Sequence, residues 1–91
     1  MHTIAIDFDL VKAQSNFSKH GVTFEEAATC LLDANALVRE DQSAAGKVRI
    51  VLLGCSARGR LLAVVYTLRG KTPRIISARK ATKNETKSYE T

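Results

Sequence analysis

The run Leu61-Leu62-Ala63-Val64-Val65-Tyr66 constrains the fold more than any other stretch of this chain. Six consecutive apolar residues are far too few to span a bilayer as a helix. They also lack the polar alternation of a strand with one wet face, so they predict a central strand covered on both sides. That strand occupies residues 60–68. Its neighbours share its character: residues 48–55 are β-branched and Leu-rich, and residues 74–79 follow a turn at 70–73. Ser56-Ala57-Arg58-Gly59 is expected to be a hairpin loop, helped by its glycine. Residues 36–40 read as a short edge strand and residues 41–46 as a polar loop.

The first half has a different period. Residues 3–8 alternate loosely, with Ile4, Ile6 and Phe8 on one side, and predict a first strand. Asp9 suits an N-cap, because its carboxylate can accept from free backbone N–H groups. Residues 10–19 then read as a helix whose apolar stripe is bracketed by Val11, Ala13 or Gln14, Phe17 and Ser18. Gly21 is placed to close it in the left-handed conformation. Thr23-Phe24-Glu25-Glu26 has the form of a capping box opening a second helix to about residue 33, with Phe24, Ala27, Ala28, Leu31 and Leu32 inward. Thr82-Lys83-Asn84-Glu85 is another such box and opens a terminal helix through Tyr89. The predicted order is β-α-α-β-β-β-β-α. This is an α+β domain, an antiparallel β-sheet with an N-terminal αα-hairpin and a C-terminal helix, and residues 1–91 are expected to form one domain.

Charge narrows the function. Residues 1–46 hold three basic residues against seven acidic ones, and residues 47–91 hold eleven against two, so a half at −4 precedes a half at +9. A half-molecule this basic points to a polyanion, nucleic acid first, or to a solvated face of Arg and Lys. Asp7 and Asp9 precede any apolar stretch of signal-peptide length, so a cytoplasmic location and no membrane partner are expected. Cys30 and Cys55 lack metal spacing and read as small buried hydrophobes. There is no P-loop, no G-x-G-x-x-G and no nucleophile elbow. With histidine only at positions 2 and 20, no His-based metal site and no cofactor are expected. Any catalysis would fall to Arg, Lys, His, Tyr and Glu, a set suited to phosphate chemistry.

Three blocks carry a resemblance. They are Lys12-x3-Asn16-x2-Lys19-His20-Gly21-x2-Phe24-Glu25-Glu26-Ala27, then Gly59-Arg60-x-Leu62-x-Val64-Val65-Tyr66-Thr67-x-Arg69, then Arg74-Ile75-Ile76-Ser77-Ala78-Arg79-x-Ala81-x3-Glu85-x3-Tyr89-Glu90. In order and spacing the chain resembles the BrnT family, ribonuclease toxins of type II toxin–antitoxin systems. The resemblance implies a RelE-like fold, RNA cleavage that arrests translation, and a BrnA-like antitoxin partner. Operator DNA would be met only indirectly, through the antitoxin. Family members usually carry Glu-Arg where this chain has Val48-Arg49, which takes away one candidate base or positioning group.

Cleavage of RNA without metal needs a base for the ribose 2′-OH, cations for the pentavalent phosphate and an acid for the leaving 5′-oxygen. Arg79 and Arg49 are the first candidates for the phosphate, because a guanidinium grips two oxygens at once. Arg69 and Arg74 stand behind them. Strict alternation puts Arg79 with Ile75 and Ser77, and Arg74 with Ile76 and Ala78, so both serve one site only if the strand bulges or the site lies at its end. Glu85 either closes the capping box or also orients Arg79. His20 is a candidate acid or base and Lys19 a phosphate or leaving-group partner. Equally, both can cap the negative end of the first helix. Asn16 can hydrogen-bond along the same helical face or simply pack its end. Lys80, Lys83, Arg60 and Tyr89 complete the RNA-binding candidates, with Tyr89 free to stack on a base or to pack. Tyr66 reads as core. Two other readings stand beside the enzyme: a basic module that binds RNA or antitoxin without cutting, which Val48 favours, and a protein whose main role is to partner a repressor.

Overall fold

The computed structural model describes residues 5–42 and 48–91. Helix α1 (Leu10–His20) and helix α2 (Phe24–Thr29) lead into a 3-10 turn, Cys30–Leu32. Strands β1 (Leu37–Gln42), β2 (Val48–Cys55), β3 (Leu61–Arg69) and β4 (Thr72–Lys80) follow, then helix α3 (Lys83–Glu90). The sheet is an antiparallel meander in the order β1-β2-β3-β4. This is an α+β fold with the central strand where the apolar run places it. Leu62, Ala63, Val64 and Tyr66 of β3 are buried, while Val65, on the face away from the main core, is half-buried.

One face carries the main core. Leu52, Val64 and Ala78 lie in one row across the sheet and pack with Leu62, Tyr66 and Ile75 beneath Val22, Phe24, Ala27, Ala28 and Cys30. Phe8 meets Phe24 edge-on, centroids 5.6 Å apart. Burying side chains of this size is worth about 1.5–3 kcal/mol each, which makes this layer the main source of stability. The Cys30 thiol lies in the core, and burial pushes its pKa up to about 12. Cys55 is only half-buried.

Local signals set the helix ends. The Asp9 carboxylate accepts from Val11 N at 2.8 Å and Lys12 N at 3.3 Å. Gly21 closes α1 at φ 68°, a conformation L side chains resist, and its N–H donates to Phe17 O. Thr82 and Glu85 form the full capping box of α3. Gly70, at φ 61° as the first of two residues between β3 and β4, suits a tight II′ turn.

Several expectations are corrected. Residues 3 and 4 of the expected first strand lie outside the described residues. Its described part makes one parallel bridge, Asp7 to Arg74, through Asp7 N to Pro73 O and Ile75 N to Asp7 O, both 2.9 Å. The stripe of α1 is displaced: Val11 and Phe17 are exposed, and the buried residue is the polar Asn16. α2 tightens into a 3-10 turn after Thr29, and Leu32 is exposed. Thr23 caps α2, but Glu26 turns away from the box into the core wall. Asp41 and Gln42 continue β1 instead of opening the loop, whose residues 43–46 lie outside the described residues. In β4, Tyr66 pairs with Ile75 while Val65 pairs with Ser77, so Ile76 is an extra, bulged residue. The bulge resets the alternation, and Ile75 and Ala78 are both in the core.

Two buried polar groups join the layers. The Asn16 side-chain amide donates to Ala78 O at 2.8 Å and Val22 O at 3.1 Å, and its oxygen accepts from Ala78 N at 3.1 Å. Glu26 accepts from Ser56 Oγ at 2.7 Å and from the Arg60 guanidinium through both oxygens. The hydrogen bond from Arg60 is the main reason its pKa is lowered. Arg60 also donates to Gly21 O, tying the α1–α2 turn to β3.

Asn16→Ala leaves the buried Ala78 N–H and C=O without their side-chain partner, so a loss of about 2–4 kcal/mol is expected in urea unfolding. Gln14→Ala, on the exposed side of the same helix, should cost less than about 0.5 kcal/mol. Equal effects would show that the amide does not hold α1 to the sheet.

Candidate nucleic-acid interface

Where α1 runs beside β4, the surface forms two adjoining hollows. One is lined by Lys12, Ser15, Asn16, Lys19, His20, Ile76 and Ser77. The other is lined by Lys12, Val48, Arg49, Thr67, Leu68, Arg69, Arg74 and Ile76. Lys12 and the bulged Ile76 belong to both, so the two form one cleft. Among the described residues six of its lining side chains are basic, and no carboxylate lines it.

Each element delivers its cations for a local reason. Lys12, Asn16 and Lys19 are spaced by four and three residues and share one helical face. Asn16 points that face at β4, so the two lysines flank the contact. His20 ends the helix because Gly21 turns the chain. Arg69 and Arg74 lie on either side of the β3–β4 turn, and Arg49 projects from β2. Asp7 binds Arg74, Oδ2 to Nη1 at 2.7 Å. That hydrogen bond, aided by the charge of Arg69, holds the Asp7 carboxyl below the usual range.

The structure thus brings together His20, Lys19, Arg49, Arg69 and Arg74. It adds Lys12, whose signal was its place on the helical face of Lys19. The other candidates lie elsewhere. Arg79 meets Glu85 in a two-point pair, Nη1–Oε1 at 2.8 Å and Nη2–Oε2 at 3.0 Å. Glu85 also accepts from Thr82 N at 2.8 Å, so it caps α3 and orients Arg79 together. Arg79 lies five steps along the strand from Arg74, roughly 15 Å between backbones, too far for both to grip one phosphate. Arg60 is engaged by Glu26. The Tyr89 hydroxyl donates to Asp33 Oδ2 at 2.5 Å, and the same oxygen accepts from Cys55 N at 2.8 Å. Tyr89 is therefore a pin for α3, and its pKa is raised to about 12 chiefly by that bond. Lys80 and Lys83 are exposed beside Arg79 and at the start of α3. Tyr66 is core.

The arrangement can hold the phosphates of a polyanion along β4 and present an imidazole and an amine at one end. Among the described residues no three His, Cys, Asp or Glu side chains come together as a metal-binding group. No helix there is long and apolar enough to cross a membrane.

The family model for the ribonuclease toxin BrnT of type II toxin–antitoxin systems matches residues 8–85. The crystal structure of the Brucella abortus ribonuclease toxin BrnT is similar, with TM-score 0.68 and 27% identity over 89% of this chain and 100% of that one. No curated protein matches.

The Arg79–Glu85 pair generates a pH prediction. The Arg79 hydrogen bond pulls the Glu85 pKa from 4.5 to about 2. A depressed carboxylate stabilises the fold fully above the unfolded value and loses that contribution as pH falls from 4.5 towards 2. Glu85→Gln should therefore unfold at lower urea than the parent chain near neutral pH, and the difference should close through that acid window. A difference that persists at the acid end would show that the pair does not carry the shift.

Proposed function

Because this chain belongs to the BrnT family of ribonuclease toxins of type II toxin–antitoxin systems, we propose that it is a metal-independent endoribonuclease that cuts RNA in the basic cleft. The convergence of His20, Lys19 and Lys12 from α1 with Arg49, Arg69 and Arg74 from the sheet carries this reading. His20 takes the proton from the ribose 2′-OH, and the freed oxygen attacks the adjacent phosphorus. Arg49, Arg74 and Lys12 share the charge that builds on the phosphate oxygens. The bond to the 5′-oxygen breaks and Lys19 supplies that oxygen with a proton. The products are a 2′,3′-cyclic phosphate and a 5′-hydroxyl. Arg79 and Glu85 brace α3 in this scheme, and Arg60 holds the α1–α2 turn. The single domain over residues 1–91 is read as RelE-like and cytoplasmic. Its partner is a BrnA-like antitoxin, with operator DNA reached only through it.

A non-cleaving RNA- or antitoxin-binding module is the second reading. The observation behind it is Val48, exposed in the cleft beside Arg49, where the family pattern usually carries a glutamate.

The antitoxin-free chain, incubated in EDTA with short RNA and matched DNA, should cut only RNA. His20→Ala should slow cutting by about 10²–10⁴-fold, and Arg74→Ala by about 10²-fold. Cutting of DNA, or full activity in both variants, would remove the cleft as the site. Salt-sensitive binding without any cutting would select the second reading.

A further inference from the structure

We infer that the cleft holds RNA by its ribose–phosphate chain alone and is indifferent to the bases, an inference that rests on reading the cleft as the RNA site. The chain has five aromatic residues, and the structure places every one away from the cleft. Phe24 and Tyr66 are buried in the core, and Phe8 packs against Phe24. Phe17 lines a separate groove of α1 with Phe8 and Phe24. Tyr89 is bound to Asp33. Stacking on a Phe or Tyr ring, worth about 1–3 kcal/mol per base in single-strand binders, is therefore not offered here, which leaves the His20 imidazole as the one aromatic ring at the described lining.

The amide and the carboxylate nearest the cleft, groups that read base edges elsewhere, are spent as well. The Asn16 amide, which elsewhere can pair with an adenine, is committed to Ala78 and Val22. The Asp7 carboxylate is committed to Arg74. Among the described lining residues what remains are cations, the hydroxyls of Ser15, Thr67 and Ser77, and the aliphatic Val48, Leu68 and Ile76. Cations and hydroxyls suit phosphates and the 2′-OH, groups that every nucleotide carries alike. The arginines and lysines are also able to read a guanine, so the test includes one.

Binding sets the experiment. His20→Ala protein, full length, is titrated with oligo-A, oligo-C, oligo-U and a GU repeat of one length over a range of salt. Affinities within about threefold are expected, with a log–log salt slope near −3.5 if Lys12, Lys19, Arg49, Arg69 and Arg74 each meet a phosphate. Arg69→Gln should weaken all four equally and flatten the slope by about 0.7. One oligomer bound more than about tenfold tighter overturns the inference. If Arg69→Gln still weakens that oligomer, the cleft stands as the RNA site and only base indifference fails. No salt-sensitive binding of any oligomer overturns both.

Discussion

One side-chain amide sets the geometry on which the cleft depends. Asn16 pairs with the outward N–H and C=O of Ala78 much as a neighbouring strand would, and its third bond holds the turn at Val22. An amide with so many fixed partners leaves α1 little freedom to roll or slide. Lys12 and Lys19, four residues before and three after, are carried to β4 by that contact. Asp7 completes the cover of the same strand through Arg74 and Ile75. A helix placed only by apolar packing could settle in several registers, because such contacts lack direction. The hydrogen bonds choose one.

The unequal charge of the two halves has a second meaning once the contacts are known. Acidic residues of the first half fasten the basic second half: Asp7 takes Arg74, Glu26 takes Arg60, and Asp33 takes Cys55 N and Tyr89. Part of the positive excess is therefore consumed internally, while Lys12 and Lys19 reach the cleft from the acidic half. The same accounting explains α3. It buries no side chain of its own and is held largely by Glu85 on Arg79 and Tyr89 on Asp33. Such a helix is easier to detach than one seated in a core.

Signals that act over a few residues were legible in the sequence. Asp9, Gly21, Thr23 and the Thr82–Glu85 box mark helix ends because a cap completes its bonds within one turn. The apolar run of β3 announces an interior strand because an edge placement would leave much of it in water, though its second face, at Val65, is only half-buried. Harder to read were features decided across the chain. Asn16 looks like any polar helix residue until β4 lies beside it. Glu26 fits a capping box locally, and the stronger pull of Arg60 and Ser56 becomes visible only in the folded chain. The bulge at Ile76 depends on pairing with β3, which strict alternation does not register. The clustering of His20 and Lys19 with Arg49, Arg69 and Arg74 needed the relative placement of α1 and the sheet, so sequence could nominate these residues but not join them. For the same reason it could not separate them from Arg79, Arg60 and Tyr89.

The cover of β4 has a counterpart at the other side of the sheet. Along β1, all six residues are exposed, and among the described residues no further strand pairs with its outer side. Among the described residues, β1 is therefore the edge left open to growth. A segment donated by another chain, in solution or in a fibril, can add main-chain bonds beyond it. The mixed charges of Arg39, Glu40 and Asp41 then act as a filter on what joins, penalising a strand that sets like charges opposite them. Assembly at that margin would leave the Asn16–Ala78 contact untouched.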